Sequence, residues 1–154
     1  MIEYRKATLG ESALLAKIRI DFLCEANDVS SEDEKNRLFD SNRQFISNSL
    51  ADGSFISWVA VESGKIIATS GITFYTLPPN KKCPNGKVAY ISNMFTYSHY
   101  RGQGIATKLF ALSVEEATNA GCIKILLNAT DMGKPIYEKF GFKDTKNDMA
   151  YYAL

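Results

Sequence analysis

Between Val88 and Leu127 the chain spells out a strand, a glycine turn, a helix and a second strand, and this order limits the fold more than any other feature. Val88 to Thr96 is an apolar run rich in strand formers. Tyr97 to Tyr100 then turns the chain into Arg101-Gly102-Gln103-Gly104. From Gly104 to Ala120 the residues Ile105, Leu109 and Leu112 recur on one side, with Phe110, Val114 and Ala117 beside them, which predicts a packed amphipathic helix ended by Gly121 as its C′ residue. Ile123 to Leu127 is nearly continuous in apolar residues, the pattern of a strand buried on both faces and parallel to its neighbour. The helix is then the crossover between two parallel strands, expected to be right-handed.

The turn between the first strand and this helix has chemical content. Two glycines let backbone approach a ligand with no Cβ in the way. The first turn of any helix offers N–H groups without internal partners, which suit a phosphate. Arg101 adds a fork of charged donors matched to phosphate oxygens. A dinucleotide fingerprint would need a third glycine where Thr107 stands, and a P-loop would need Gly-Lys-Ser or Gly-Lys-Thr at the helix start. Neither pattern is present, so the turn reads either as another kind of phosphate cradle or as a plain connection.

The rest of the chain supplies elements around this unit. Ile2 to Ala7 alternates as a first strand, and Leu14, Leu15, Ile18, Phe22 and Leu23 mark a helix of about four turns. Ser30 and Ser31 cap a second helix reaching to about Asn48, with Glu32, Asp33 and Glu34 in its first turn, where negative charge is favoured. Phe55 to Glu62 and Lys65 to Tyr75 form a hairpin about Ser63-Gly64. Leu77 to Gly86, with three prolines, is a loop. Pro135 opens a short helix ending at Gly141, and Phe142 to Asp144 and Met149 to Leu154 are expected as closing strands.

At 154 residues one domain, 1–154, is expected, large enough to bury about two thirds of the surface of its unfolded chain. Lys plus Arg total 18 against 17 for Asp plus Glu, so no global field argues for nucleic acid or a membrane surface. No run is long enough to span a bilayer and the first residues lack a signal-peptide pattern, so a soluble cytoplasmic protein is expected. Cys24, Cys83 and Cys122 are odd in number and widely spaced, and His99 is the single histidine. Neither a disulfide framework nor a zinc or other metal site follows.

The second landmark is Ile136-Tyr137-Glu138-Lys139-Phe140-Gly141-Phe142. Together with Tyr100-Arg101-Gly102-Gln103-Gly104-Ile105-Ala106, one helix and one strand earlier, it resembles the GCN5-related N-acetyltransferase (GNAT) superfamily, whose R-x-x-G-x-A loop and Y-x-x-x-G-F segment occur in this order. The specific likeness runs from Val88 to Phe142. It implies an α/β fold with a mixed, mostly antiparallel twisted sheet of six to seven strands, a central splayed parallel pair and about four helices. It also implies an N-acetyltransferase that takes its acetyl group from acetyl-CoA.

Carried onto this sequence, the resemblance gives backbone amides of Gln103, Gly104, Ile105 and Ala106, with Arg101, Gly102 and Thr107 beside them, to the pyrophosphate of acetyl-CoA. Main-chain groups of Met94 and Thr96, flanking Phe95, would pair with the pantetheine arm. Tyr137 would be the general acid. Amine attack releases a thiolate whose conjugate acid titrates near 8.5, and tyrosine near 10 is protonated at neutral pH, so it can supply that proton. Asn128 stands near the cofactor arm, Lys134 and Lys139 near the 3′-phosphate.

Many members place a glutamate on the strand matching Val88 to Thr96, but this chain has Tyr90, Ser92 and Asn93 and no carboxylate there. Water held by Ser92 or Asn93 is the expected base, with Asp21, Glu25 and Asp131 as remoter choices. Ser98 and Thr130 replace a proline and an asparagine common in the family. The acceptor, a small-molecule or peptide amine, would sit against the N-terminal helices and the 77–86 loop, where Phe22, Trp58, Tyr75 and Tyr90 could line a pocket. A homodimer stays open, as does a non-catalytic module that only binds acyl-CoA.

Overall fold

In a computed structural model, which describes residues 1–153, five strands and four helices follow the expected order. They are β1 (Glu3–Lys6), α1 (Ser12–Glu25), α2 (Glu32–Asp52), β2 (Phe55–Glu62), β3 (Lys65–Thr76), β4 (Lys87–Thr96), α3 (Ile105–Asn119), β5 (Lys124–Leu127) and α4 (Lys134–Lys139). The strands lie in one sheet in the order β1-β2-β3-β4-β5, antiparallel except for β4 and β5.

Local chemistry accounts for most boundaries. The Ser31 hydroxyl accepts from the Glu34 N–H, and Gly53 at φ +79° stops α2, four residues later than the sequence pattern predicts. Ser63 (φ +50°) and Gly64 (φ +75°) both occupy the left-handed region, the conformation of the tight hairpin turn between β2 and β3. Side-chain alternation divides the sheet into two faces. Phe55, Val59 and Phe95 pack with Leu15, Ile18 and Ile46 of α1 and α2, while Ile72, Ala89 and Ile91 pack with Phe110, Ala117 and Tyr137 of α3 and α4.

Two irregularities in β4 prepare the site. Thr69 pairs with Phe95 and Gly71 with Ser92, so Ser70 faces both Asn93 and Met94, a β-bulge in which Asn93 has φ +54°. The Thr69 hydroxyl donates to the Asn93 carbonyl at 2.9 Å and steadies it. On its other side β4 pairs with β5 only from Val88 to Ile91. The β5-facing edge from Ser92 to Thr96 has no strand partner among the described residues.

The sheet has two strands fewer than the upper expectation. Residues 142–153 form no strand, and the expected Met149–Leu154 strand ends on a residue outside those described. Strand propensity needs a partner and a buried face. Met149, Tyr151 and Tyr152 have neither, being 98%, 91% and 78% exposed, while Phe142 packs its ring 5.2 Å from that of Phe110. As a result the parallel pair lies at the edge of the described sheet, and β5 is half-buried rather than buried on both faces.

Candidate active site

The β4 to α3 connection is built from backbone. Gly102 and Gly104 both have φ +77°, where a side chain is strained, although an added Cβ at either would meet no protein atom within 4 Å. Gly104 precedes α3 with no side-chain cap, and the Lys108 N–H donates to the Gly104 carbonyl. The N–H groups of Ile105, Ala106 and Thr107 therefore leave the helix end without intrahelical acceptors. With the helix dipole behind them they suit an anion.

A cavity of about 700 Å³ opens beside this turn. One wall is the end of α1, with Phe22, Glu25 and Ala26, and another is Met94, Phe95 and Thr96 on the unpaired reach of β4. Tyr100, Arg101, Gly102 and Gly104 with the first three residues of α3 form the floor, and Thr130 to Gly133 with Ile136 and Tyr137 complete it. Gln103, Asn128 and Lys134 lie outside this lining, as do Ser92 and Asn93. Lys134 instead pairs with Asp144 at 3.1 Å, and the Gln103 amide donates to the His99 carbonyl at 3.4 Å.

Tyr137 is the buried polar side chain of the lining, 7% exposed, with its ring 4.7 Å from that of Phe110. Burial pushes its phenol above the usual tyrosine value. Its hydroxyl makes no hydrogen bond to any described residue. Gly133, four residues before it, leaves the space its ring occupies: an added Cβ there would lie 2.8 Å from the hydroxyl. Such a glycine one turn before a tyrosine was the sequence signal for this packing. Ala26 and Met132 carried none, because they reach the cavity through tertiary packing, while Tyr100 and Ile136 stand in the two landmark motifs but were given no role there.

Arg101 is held by protein groups. Its Nε donates to the Thr96 carbonyl at 2.8 Å, and its guanidinium pairs with Glu25 at 2.6 Å. Nearby the Tyr97 hydroxyl donates to Asp21 at 2.6 Å, and burial together with that bond raises the Tyr97 phenol far above its ordinary value. The end of α1 is thus tied twice to the turn after β4. Of the remoter base choices, Glu25 and Asp131 line the cavity, whereas Asp21 is engaged by Lys17 and Tyr97 and lies outside the lining.

On β4 the alternation that turns Ala89 and Ile91 toward α3 turns Tyr90 and Ser92 toward α1 and α2. Tyr75, on β3, shares that face, and burial raises its phenol with Tyr90 and Asp148 close by. Trp58 does not join them. Its indole packs with the α3-side clusters under the Lys6 ammonium, 5.7 Å from the ring, and its buried N–H has no partner.

The GNAT acetyltransferase domain model matches residues 25–151 of this chain. The chain belongs to the GNAT acetyltransferase family. A structure of a predicted acetyltransferase with acetyl-CoA from Clostridium acetobutylicum is 35% identical, covers 99% of this chain and 96% of its own, and superposes with a TM-score of 0.89. A GCN5-related N-acetyltransferase from Ralstonia eutropha JMP134 is 27% identical over 99% of this chain and 98% of its own, with a TM-score of 0.88. Glucosamine 6-phosphate N-acetyltransferase of Arabidopsis thaliana is 24% identical over 79% of this chain and 77% of its own length.

The family gives this chain an acetyltransferase activity on the GNAT fold. Among the described residues no helix is long and apolar enough to cross a membrane, and no three His, Cys, Asp or Glu side chains are placed to hold a metal ion. Cys24, Cys83 and Cys122 are absent from the cavity wall, which also carries no serine or histidine.

Proposed function

We propose that this chain transfers an acetyl group from acetyl-CoA to a primary amine by direct attack in a ternary complex. The observation that supports this best is Tyr137, a buried phenol with a free hydroxyl on the wall of a cavity that begins at the uncapped end of α3. The N–H groups of Ile105, Ala106 and Thr107 hold the pyrophosphate. The unpaired edge of β4 at Met94 and Thr96 runs beside the pantetheine arm, as an added strand would. Arg101 shapes this end through Thr96 and Glu25.

In the reaction the neutral amine attacks the thioester carbonyl, the new C–N bond forms and the C–S bond breaks. Tyr137 gives its proton to the departing sulfur. Burial raises the phenol and keeps it protonated across neutral pH, so loss of this acid lies above the ordinary tyrosine range. The attacking amine releases its proton to water held at Ser92 and the β4 bulge, since β4 carries no carboxylate and Asp21 and Glu25 are already paired; Asp131, on the cavity wall, is the remaining carboxylate choice. Direct attack needs no covalent acetyl-enzyme, and the cavity wall carries no cysteine, serine or histidine to form one on.

Free-thiol release from acetyl-CoA, measured with a panel of amines, tests this reading. The panel holds glucosamine 6-phosphate, because relatives are named for that acceptor, together with glucosamine, polyamines, aminoglycosides and peptide N-termini. Release is expected with at least one. Tyr137→Phe keeps the ring packing and lowers kcat about 10²-fold or more while acetyl-CoA affinity stays within about twofold. Tight acetyl-CoA binding without release for any amine would make the chain a non-catalytic acyl-CoA-binding module.

A further inference from the structure

Five arginines occur in the chain, and four have an evident place. Arg5 and Arg101, both half-buried, pair with Glu11 at 2.8 Å and Glu25 at 2.6 Å, while Arg37 and Arg43 stand exposed on α2. Arg19 is different. It is half-buried on α1, yet among the described residues it takes part in no ion pair and no hydrogen bond. Burial pushes the guanidinium below its usual value, and the nearby Asp28 and Tyr90 offset this only in part. A guanidinium partly withdrawn from water, with five donors and no protein acceptor among the described residues, is open to an anionic ligand.

Its position says what that acceptor would belong to. The guanidinium lies 5.2 Å from the ring centre of Phe22, and Phe22 is a wall of the acyl-CoA cavity. Tyr90, close to Arg19, stands on the α1 face of β4 next to the splayed edge. Arg19 is therefore one aromatic ring away from the cavity, on the side opposite α3 and its anion-suited end. An acceptor entering from this face would meet the guanidinium with the part of the molecule that trails its amine.

Resting on the acetyltransfer reading above, we propose that Arg19 holds an anionic group of the acceptor, a phosphate or carboxylate, while the acceptor's amine reaches past Phe22 to the thioester. A planar fork of donors suits both anions bidentately, and the Phe22 ring keeps the fork oriented by cation–π contact. The acceptor class is thus anion-bearing primary amines. Polyamines and other purely cationic amines would be repelled by the same charge.

Matched acceptors test this by thiol release: glucosamine 6-phosphate against glucosamine, phosphoethanolamine against ethanolamine, and β-alanine against propylamine. The wild-type protein is expected to prefer the anionic member of at least one pair by tenfold or more in kcat/KM, and the pair showing it distinguishes phosphate from carboxylate. In Arg19→Gln that preference falls by about tenfold or more, through KM rather than kcat, and Arg19→Lys restores part of it. Arg37→Gln, at an exposed site on α2, leaves it unchanged. Should Arg19→Gln fail to fold, as read by thermal unfolding, Arg19→Lys carries the test, because it keeps charge and stem and loses only the bidentate fork.

A wild-type protein without preference for any anionic member, or an Arg19→Gln protein with the wild-type preference, overturns the assignment while leaving acetyl transfer intact. Absence of thiol release with every amine overturns the transfer reading, and this assignment with it.

Discussion

At Gly133 an added Cβ would lie 2.8 Å from the Tyr137 hydroxyl and 3.0 Å from two of its ring carbons. The backbone there is ordinary, with φ −83° and ψ −26°, so alanine brings no conformational strain and its whole effect falls on the phenol. Phe110 blocks retreat on the other side, at 4.7 Å between ring centres. Gly133→Ala should therefore move the hydroxyl before it disturbs the fold. We expect kcat to fall on the order of tenfold or more, since small misplacements of a reacting group are costly, while the midpoint of thermal unfolding shifts by no more than about 4 °C. Steady-state kinetics beside a melting curve reads both, and a kcat within twofold of wild type would show that the phenol's position is not critical.

Between elements, the seam of α3 on the sheet contains a polar contact that no spacing rule announces. Ser70 of β3 and Ser113 of α3, both fully buried, lie 2.7 Å apart through their hydroxyls, and Ser113 donates onward to the Leu109 carbonyl. Ser113→Ala leaves the Ser70 hydroxyl buried without its partner, at a cost of about 1–3 kcal/mol. Removing both hydroxyls should recover part of that loss, so a double-mutant cycle in chemical denaturation is expected to give a clear coupling energy; additive losses would contradict it. Such a pair, 43 residues apart, marks where sequence reading stops. Ser31, Ser63-Gly64 and Gly121 act within a few residues of themselves, and they made the start of α2, the hairpin and the end of α3 legible, whereas Gly53, equally local, went unread and α2 runs four residues past its expected end. Met149 to Tyr152 looked like a strand on local propensity alone, but a strand exists only through a partner, and the described residues offer it none.

Across the whole molecule the cavity is assembled from Phe22 at one extreme and Tyr137 at the other, so it exists only in the folded chain. Its glycine turn and tyrosine were legible because backbone conformation and family spacing leave a mark in sequence. Arg101 paired with Glu25, and Arg19 left without a partner, were not, because both depend on where α1 ends relative to β4. A ligand that needs all these walls binds the native state and not the unfolded one. At a concentration of 100 Kd, acetyl-CoA should then stabilise the protein by about 2.7 kcal/mol, which raises the melting midpoint of a chain this size by roughly 5–10 °C. Gly104→Ala places a Cβ at φ +77°, destabilising the free protein by about 1–2 kcal/mol and tilting the N–H groups at the start of α3. The ligand-induced increment, measured by calorimetry against each protein's own unliganded midpoint, should shrink to less than half in this variant. An increment equal to that of the wild type would place the pyrophosphate somewhere other than the end of α3.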